Sequence, residues 1–514
     1  MSAEAVYLRL RATDPRRWHA VAAAWRRWAA WAGQLAAEFP PHLARLAAAW
    51  SGSAATAAAE RLGRLRRRLV LFRLLCWQAD QAISEFAAAL DRARALLDRA
   101  LAAAARGGLV IEDDATVRGG PAPAVTTDLA AALSVAERAD ADTSARLRRV
   151  AAATSVTPGP PGPGRPDCTA SPAEARRWWD GLTAGQRQWL LATEPSWLAP
   201  LDGIPAADRD AANRLLLDER RAELDRALGL AHGRGLKRLS DLKNGLDALA
   251  DRLAGEDGPR AYLLRLDLAG EGRTVIALGD PDRADNVLTH VPGMTSELAS
   301  FGGELSRAER VAERATELDP AASTSGVLWL DYDAPDFLDE AASARQAEQA
   351  APALRRFQDG LRADHTGPAA RQVVLGHSYG SLVVGKAATG AGLDADDVIF
   401  VGSPGVGVDS AGGLRVPSGH VWSSTSKTDV IQYAAVSPGG FLRSLAGSDG
   451  LPFGAPLLAL AQPEPDLWFG HNPSDPAFGA HVFASQPGGG HLGYWDQGKP
   501  ALDALAAITL GRTP

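Results

Sequence analysis

Cysteine is nearly absent. Cys76 and Cys168 are the only two in 514 residues, so neither a disulfide framework nor a thiolate zinc site is written in the chain. Cys76 falls on an apolar helical face and reads as a small buried hydrophobe. Lysine is almost as scarce, occurring only at Lys237, Lys243, Lys386, Lys427 and Lys499, and arginine carries the positive charge instead. Long apolar runs are missing too. None approaches the roughly 18 residues needed to span a bilayer, and the N-terminus lacks the basic, apolar, small-residue order of a secretory signal. These absences leave a globular chain, cytoplasmic by default. It is long enough for several domains of roughly 100–200 residues each, and at 46% hydrophobic residues it can bury an ample core.

The net charge of -7 is unevenly spread. Residues 1–110 hold 17 Arg and no Lys against 8 Asp and Glu, a balance of +9, which leaves -16 for the rest of the chain. Such asymmetry marks either an anionic partner for the first segment or a solvated basic face.

In that segment the apolar positions Trp18, Val21, Trp25, Trp28, Ala32 and Leu35 recur at a spacing of three and four, which makes one stripe on a helix. Pro40 and Pro41 are expected to interrupt it. A second stripe follows Trp50-Ser51-Gly52 and runs through Leu62, Leu65, Leu69, Phe72, Cys76, Ala79, Ile83, Phe86, Leu90 and Leu97. Two long helices with facing stripes and a short break predict an antiparallel hairpin over 1–110. A short helix is expected around Asp128–Val150. The run TPGPPGPGRP at Thr157–Pro166 is an extended linker and the best boundary in the chain. Residues 171–258 read as a helical lead-in, with the aromatic pairs Trp178–Trp179 and Trp189–Trp197 as core or docking surface and one further helix over Leu216–Leu253.

From Tyr262 the periodicity changes. Strands are expected at Tyr262–Asp267, Thr274–Leu278, Asn286–Val291, Val327–Tyr332, Arg371–Leu375, Asp397–Gly402, His420–Ser424 and His481–Ala484, with helices at Leu298–Leu318, Glu340–Arg362 and Tyr379–Ala388 between them. An antiparallel pair followed by alternating strands and helices predicts a mostly parallel sheet covered on both faces, occupying residues 259–514.

After the fifth strand stands GHSYGS, a Gly-x-Ser-x-Gly turn centred on Ser378. In a strand-turn-helix setting this is a nucleophile elbow, which pushes the serine oxygen into the open. The alternative is a glycine-rich turn in another parallel-sheet protein. A serine needs a base, and the base needs a carboxylate to fix its tautomer; in this chain order they come as Ser, acid, His. His491, in the glycine-rich loop GGGHLGYW past the last strand, is the expected base. His420 and His481 begin strands, at the wrong end of the sheet, and His471 lies in an irregular loop. Asp429 in TSKTDVI, beyond the seventh strand, is the expected acid, with Asp409 as runner-up and a helix N-cap as its structural alternative. Two backbone donors should form an oxyanion hole: Tyr379 N–H, after the nucleophile, and Met294 N–H in the loop HVPGMTS after the third strand, with Thr295 as second choice. Pro292 has no N–H to give. Tyr433–Gly479 is long and carries Phe441, Phe453, Trp468, Phe469 and Phe478, so it is expected to roof an apolar acyl pocket or to pack on itself.

Two resemblances follow from these residues. The Trp-x-Gly bend between two helices resembles the WXG100/ESAT-6-like hairpins exported by type VII secretion systems. That resemblance implies a helical protein partner through residues 1–110, while the companion export signal is missing, since no tyrosine lies between Tyr7 and Tyr262. The pieces PLDGIPAADRDAANRLLL, VLWLDYDAP, GHSYGS, VGSPGVG, DPAFGA and HLGYWD resemble an actinobacterial α/β-hydrolase family of unknown substrate, the DUF1023-like domains. This implies an α/β-hydrolase fold of eight strands and a serine hydrolase acting on a small-molecule or lipid ester, or an amide. The alternative function is a hairpin interaction or secretion-associated protein with a vestigial hydrolase domain. No cofactor, metal or nucleic acid is expected, because the Gly-x-Gly pieces lack the strand-helix-acid context of a dinucleotide site.

Overall fold

Eight strands form one sheet in the computed structural model, which describes residues 2–162, 164–167, 169–230, 232–256, 258–434, 465–486 and 488–514. They are β1 (Ala261–Asp267), β2 (Arg273–Leu278), β3 (Asn286–Val291), β4 (Thr324–Leu330), β5 (Arg371–His377), β6 (Asp397–Val401), β7 (Val421–Ser424) and β8 (His481–Val482). Their spatial order is β1-β2-β4-β3-β5-β6-β7-β8. Strand β2 runs antiparallel to both β1 and β4, and every other pairing is parallel. Asn286 pairs with Arg371 and Val291 with Gly376, so β3 and β5 end level with each other.

The central strands are apolar throughout because both faces are covered. Val374, Val398 and Phe400 pack into one core with the helices Arg345–Asp364 and Tyr379–Ala388. Their neighbours Val373, Leu375, Ile399 and Val401 pack into a second core with Leu502, Leu505 and Ile508 of the C-terminal helix. This is the two-residue alternation of a strand divided between two layers. The helix Phe301–Leu318 follows β3, and Arg345–Asp364 precedes β5, close to expectation. The span Leu216–Leu253 is not one helix. It is divided into Ala206–Leu228 and Arg234–Ala254 by a break containing Gly229 and Gly233, residues that favour helix ends. Trp178 meets Trp179 and Trp197, at ring separations of 5.8 and 5.4 Å, and Trp179 is buried in a core of its own.

Before the sheet, α1 (Ala3–Ala12), α2 (Pro15–Ala49), α3 (Ser53–Arg106) and α4 (Pro123–Ala153) form a helical unit. Two expectations fail there. Pro40 and Pro41 lie inside α2; both are exposed, and only the N–H donors of those two positions are lost from a long helix anchored elsewhere. The expected stripe is the packing face only in part: Trp18 meets the Phe86 ring at 4.9 Å and Ala32 is buried, but the stripe residues between them face outward. Ala22, Ala29, Ala32 and Ala36 are buried, whereas Val21, Trp25 and Trp28 are exposed. Alanines let two helices approach closely, and an indole in the same seam would hold them apart. Cys76 is buried, which pushes its thiol up to about 11; Cys168 lies outside the described residues.

An ionic network joins α3 to the sheet unit. Arg260 Nε donates to Asp80 Oδ2 at 2.8 Å and its Nη2 to Asp210 Oδ2 at 2.9 Å, while Arg214 Nε donates to Asp210 Oδ1 at 2.7 Å. All four side chains are buried. Burial alone would raise the Asp210 carboxyl, but Arg214 and Arg260 outweigh it and hold the group below its usual range. Removing one partner from such a network typically costs about 3–5 kcal/mol, since it strands a buried charge. Among the described residues no helix is long and apolar enough to cross a membrane.

Candidate active site

Strand β5 ends at His377 and a helix begins at Tyr379, so one residue must reverse the chain. That residue is Ser378, held at φ 53 and ψ -129, in a region that non-glycine residues rarely occupy. Its N–H donates to Val401 O at 3.0 Å, at the end of β6, and this ties the bend to the neighbouring strand.

The next residue after Val401 is Gly402, at φ 56. A Cβ there would stand 2.8 Å from Asp429 Oδ2 and 3.1 Å from His491 Nδ1, so only glycine leaves room for the pair. His491 Nδ1 and Asp429 Oδ1 are 2.8 Å apart. Asp429 has no exposed surface. Its Oδ1 also accepts from Ile431 N–H at 2.9 Å, at the start of a short helix, and its Oδ2 accepts from the Tyr494 hydroxyl at 2.6 Å. One carboxylate therefore makes both the contact expected of a helix cap and the contact with His491. Burial and the adjacent Asp429 push the Tyr494 phenol well above its ordinary value, so it remains a donor throughout the working pH range. Ser426 N–H donates in turn to the Tyr494 oxygen at 2.9 Å.

Asp409, the runner-up, is exposed and turned elsewhere: its Oδ1 accepts from His471 N–H at 3.2 Å. His420 pairs with Asp397 at the start of β6, the end of the sheet opposite the elbow, and His481 lies against Trp422.

The loop after β3 approaches the elbow from the other side. A Cβ on Gly293 would stand 2.6 Å from Ser378 Cβ and 3.0 Å from its Oγ. Thr295 N–H is already spent on Pro335 O at 2.9 Å, which leaves Met294 as the candidate donor of this loop. The Tyr332 hydroxyl donates to Pro292 O at 2.6 Å and pins the loop from beneath. Tyr379 opens its helix, where a backbone N–H has no intrahelical acceptor. Ser378, His491, Asp429, Tyr379 and Met294 thus gather where β3, β5 and β6 end. Among the described residues no hydrogen bond joins Ser378 Oγ to His491; such contacts commonly close only when substrate is in place.

Three side chains that sequence reasoning did not single out support this arrangement: Tyr332, Tyr494 and His377. His377 is buried, with Nε2 3.0 Å from His491 O and its ring 4.7 Å from the His491 ring. Burial, reinforced by His491 and Arg307, holds its imidazole well below its ordinary value and therefore neutral. A neutral ring can donate Nε2–H to that carbonyl, fixing the loop that carries His491. The available signals were positional: His377 directly precedes the elbow serine, and Tyr494 follows His491 by three residues in a single 3-10 turn, Gly493–Trp495.

Of the long segment Tyr433–Gly479, Phe441 and Phe453 lie outside the described residues. Phe469 meets the Tyr379 ring edge-on at 6.2 Å, and Trp468 packs on Phe469 at 6.3 Å.

The family description Alpha/beta hydrolase is matched by residues 267–438. An uncharacterized protein of Mycobacterium tuberculosis strain H37Rv, Rv2079, is 31% identical over 397 residues, covering 68% of this chain and 56% of that protein. Another from the same strain, Rv0963c, is 32% identical over 214 residues, covering 40% of this chain and 78% of that protein, and Mb0988c of Mycobacterium bovis matches to the same extent. The chain belongs to the alpha/beta hydrolase family. It spans only 56% of the length of the first of these relatives. No solved structure matches it at a significant level.

Proposed function

We propose that this chain is a serine hydrolase that cleaves an ester through an acyl-enzyme intermediate. The observation that carries this reading is the 2.8 Å contact of His491 Nδ1 with buried Asp429 beside a serine held at φ 53. In this reading His491 Nε2 takes the Ser378 Oγ proton as that oxygen attacks the carbonyl carbon. Asp429 holds Nδ1–H and stabilises the imidazolium that forms. The oxyanion is received by Tyr379 N–H and Met294 N–H, and one such donor is typically worth about 3–4 kcal/mol. His491 then returns its proton to the leaving alkoxide. A water deprotonated by the same nitrogen releases the acid and regenerates Ser378.

The acyl side is proposed to be apolar, roofed by Trp468 and Phe469. Residues 259–514 are the proposed catalytic unit, with 171–258 as its helical lead-in, 111–170 as a connector and 1–110 as a hairpin unit. Turnover of p-nitrophenyl esters of increasing chain length tests the reading, with Ser378→Ala as the control. The expected result is a preference for longer chains that vanishes in the variant. A strong preference for acetyl would remove the apolar acyl site, and equal turnover by Ser378→Ala would remove the triad. A second reading, in which the hairpin is an interaction module, is favoured by one observation: its tryptophans Trp25, Trp28, Trp31 and Trp50 are exposed.

A further inference from the structure

Between Trp50 and Phe72 the helical hairpin has left the body of the protein. Of residues 53–72 only Ala55 is buried, and the α3 residues that pack into the body begin near Leu74. At 1.5 Å per residue this stretch is an arm about 30 Å long. It is basic: residues 37–72 hold six arginines against Glu38 and Glu60 alone. Arg64 lies 3.6 Å from Glu60. Among the described residues Arg61, Arg66, Arg67 and Arg68 form no ion pair.

The arm and its root also carry apolar side chains in water. Val21, Trp25 and Trp28 follow one another at helical spacing on α2, with Trp28 52% exposed and Trp31 48% exposed beside it. On α3, Arg61, Leu65, Arg68 and Phe72 share a face by the same spacing, with Leu65 41% and Phe72 38% exposed. Each strip stands roughly a quarter-turn from the seam between the helices, and in an antiparallel pair both fall on one side of the hairpin. The result is a broad aromatic and aliphatic face, edged with unpaired guanidinium groups.

We infer that this face docks on an anionic lipid bilayer. Tryptophan is favoured at the boundary between headgroups and acyl chains, and arginine can bury its stem while its guanidinium reaches phosphate. A basic helical surface with an apolar face lies in the plane of such an interface. A second copy is a poorer occupant, because it would set two like-charged arms together. Nucleic acid would satisfy the arginines but leave Val21, Leu65 and Phe72 in water. This inference does not depend on the catalytic reading.

The test is co-sedimentation of the full chain with phosphatidylcholine vesicles, with and without about one-third phosphatidylglycerol. Binding is expected to be at least about tenfold stronger to the anionic vesicles and to weaken as salt is raised. The combined change Arg61→Glu and Arg68→Glu should reduce it about 30-fold, at roughly one kcal/mol per basic residue near the surface, while the same two positions changed to Lys retain it. Trp25→Ala with Trp28→Ala should at least halve the quenching of tryptophan fluorescence by brominated acyl chains. Unchanged far-ultraviolet circular dichroism establishes that the variants are folded. Equal binding to both vesicle types, or undiminished binding by the glutamate variant, would overturn the inference. So would a protein that ignores vesicles but captures DNA, or that forms a dimer lost in the tryptophan variant.

Discussion

Tyr494→Phe removes one oxygen atom from behind the proposed acid and keeps the ring. Two hydrogen bonds are lost: the 2.6 Å donation to Asp429 Oδ2 and the acceptance of Ser426 N–H at 2.9 Å. A hydrogen bond to a charged group is worth about 1.5–3 kcal/mol net, and a neutral one about 1 kcal/mol. The expected loss of folding stability is therefore about 2–4 kcal/mol. Asp429 keeps Ile431 N–H and His491 on Oδ1, so the carboxylate is not stranded but is free to swing. If about half of the loss is expressed in the orientation of His491, the rate falls roughly tenfold, at 1.4 kcal/mol per factor of ten. The assay is the second-order rate of inactivation by a fluorophosphonate, together with kcat and KM for a p-nitrophenyl ester. The rate and kcat should fall together while KM stays within about twofold, because Tyr494 acts on the proposed base and not on substrate. A lower melting temperature with an unchanged inactivation rate would refute the reasoning and reduce Tyr494 to a packing residue.

Gly293→Ala places a methyl 2.6 Å from Ser378 Cβ and 3.0 Å from its Oγ, so it should cost about 1–3 kcal/mol of stability through overpacking and reduce fluorophosphonate labelling of the folded protein about 100-fold or more, the loss typical of a damaged oxyanion site; labelling at the wild-type rate would mean that this loop does not border the reacting oxygen. His377, held neutral by burial, gives a pH signature. Its folded value is depressed, so below the ordinary histidine range the unfolded chain binds more protons, and the stability contributed by the neutral ring is present above that range and lost as pH falls. At pH 5.5 the loss is about 1.4 kcal/mol relative to neutral pH. His377→Gln should lose less stability than wild type between pH 7.5 and pH 5.5 in denaturant titrations; parallel curves would show that His377 titrates freely.

The sheet was legible from sequence because its strands are short apolar runs separated by helical stretches, a signal that buried parallel strands cannot avoid. Each of the eight was placed to within about three residues, the usual uncertainty of an element boundary. The candidate site was legible where chemistry imposes residue type. A glycine-flanked serine, a histidine after the last strand and an aspartate after the seventh are individually recognisable. What supports them was not. Tyr332, His377 and Tyr494 carry no signal of a role in the sequence until the fold sets each against a backbone carbonyl or a carboxylate. The hairpin misled for a different reason. A helical wheel ranks Val21, Trp25 and Trp28 with Trp18 and Ala32 as the inner face by hydrophobicity, but the seam selects by size: Ala22, Ala29 and Ala36 join Ala32 in it, and those three large residues stay exposed. Exposed tryptophans are visible only once the packing is known. The prolines at 40 and 41 misled likewise, because their cost depends on what else holds the helix.

The central claim is that Ser378 is a nucleophile made reactive by His491. Its most direct test is mass-spectrometric mapping of a fluorophosphonate adduct on the full chain. The prediction is a single adduct on Ser378 in the wild type, none in Ser378→Ala, and slowing by several orders of magnitude in His491→Ala, where the proposed base is missing. Failure of the wild type to label, or an adduct of equal yield on another residue in Ser378→Ala, would contradict it.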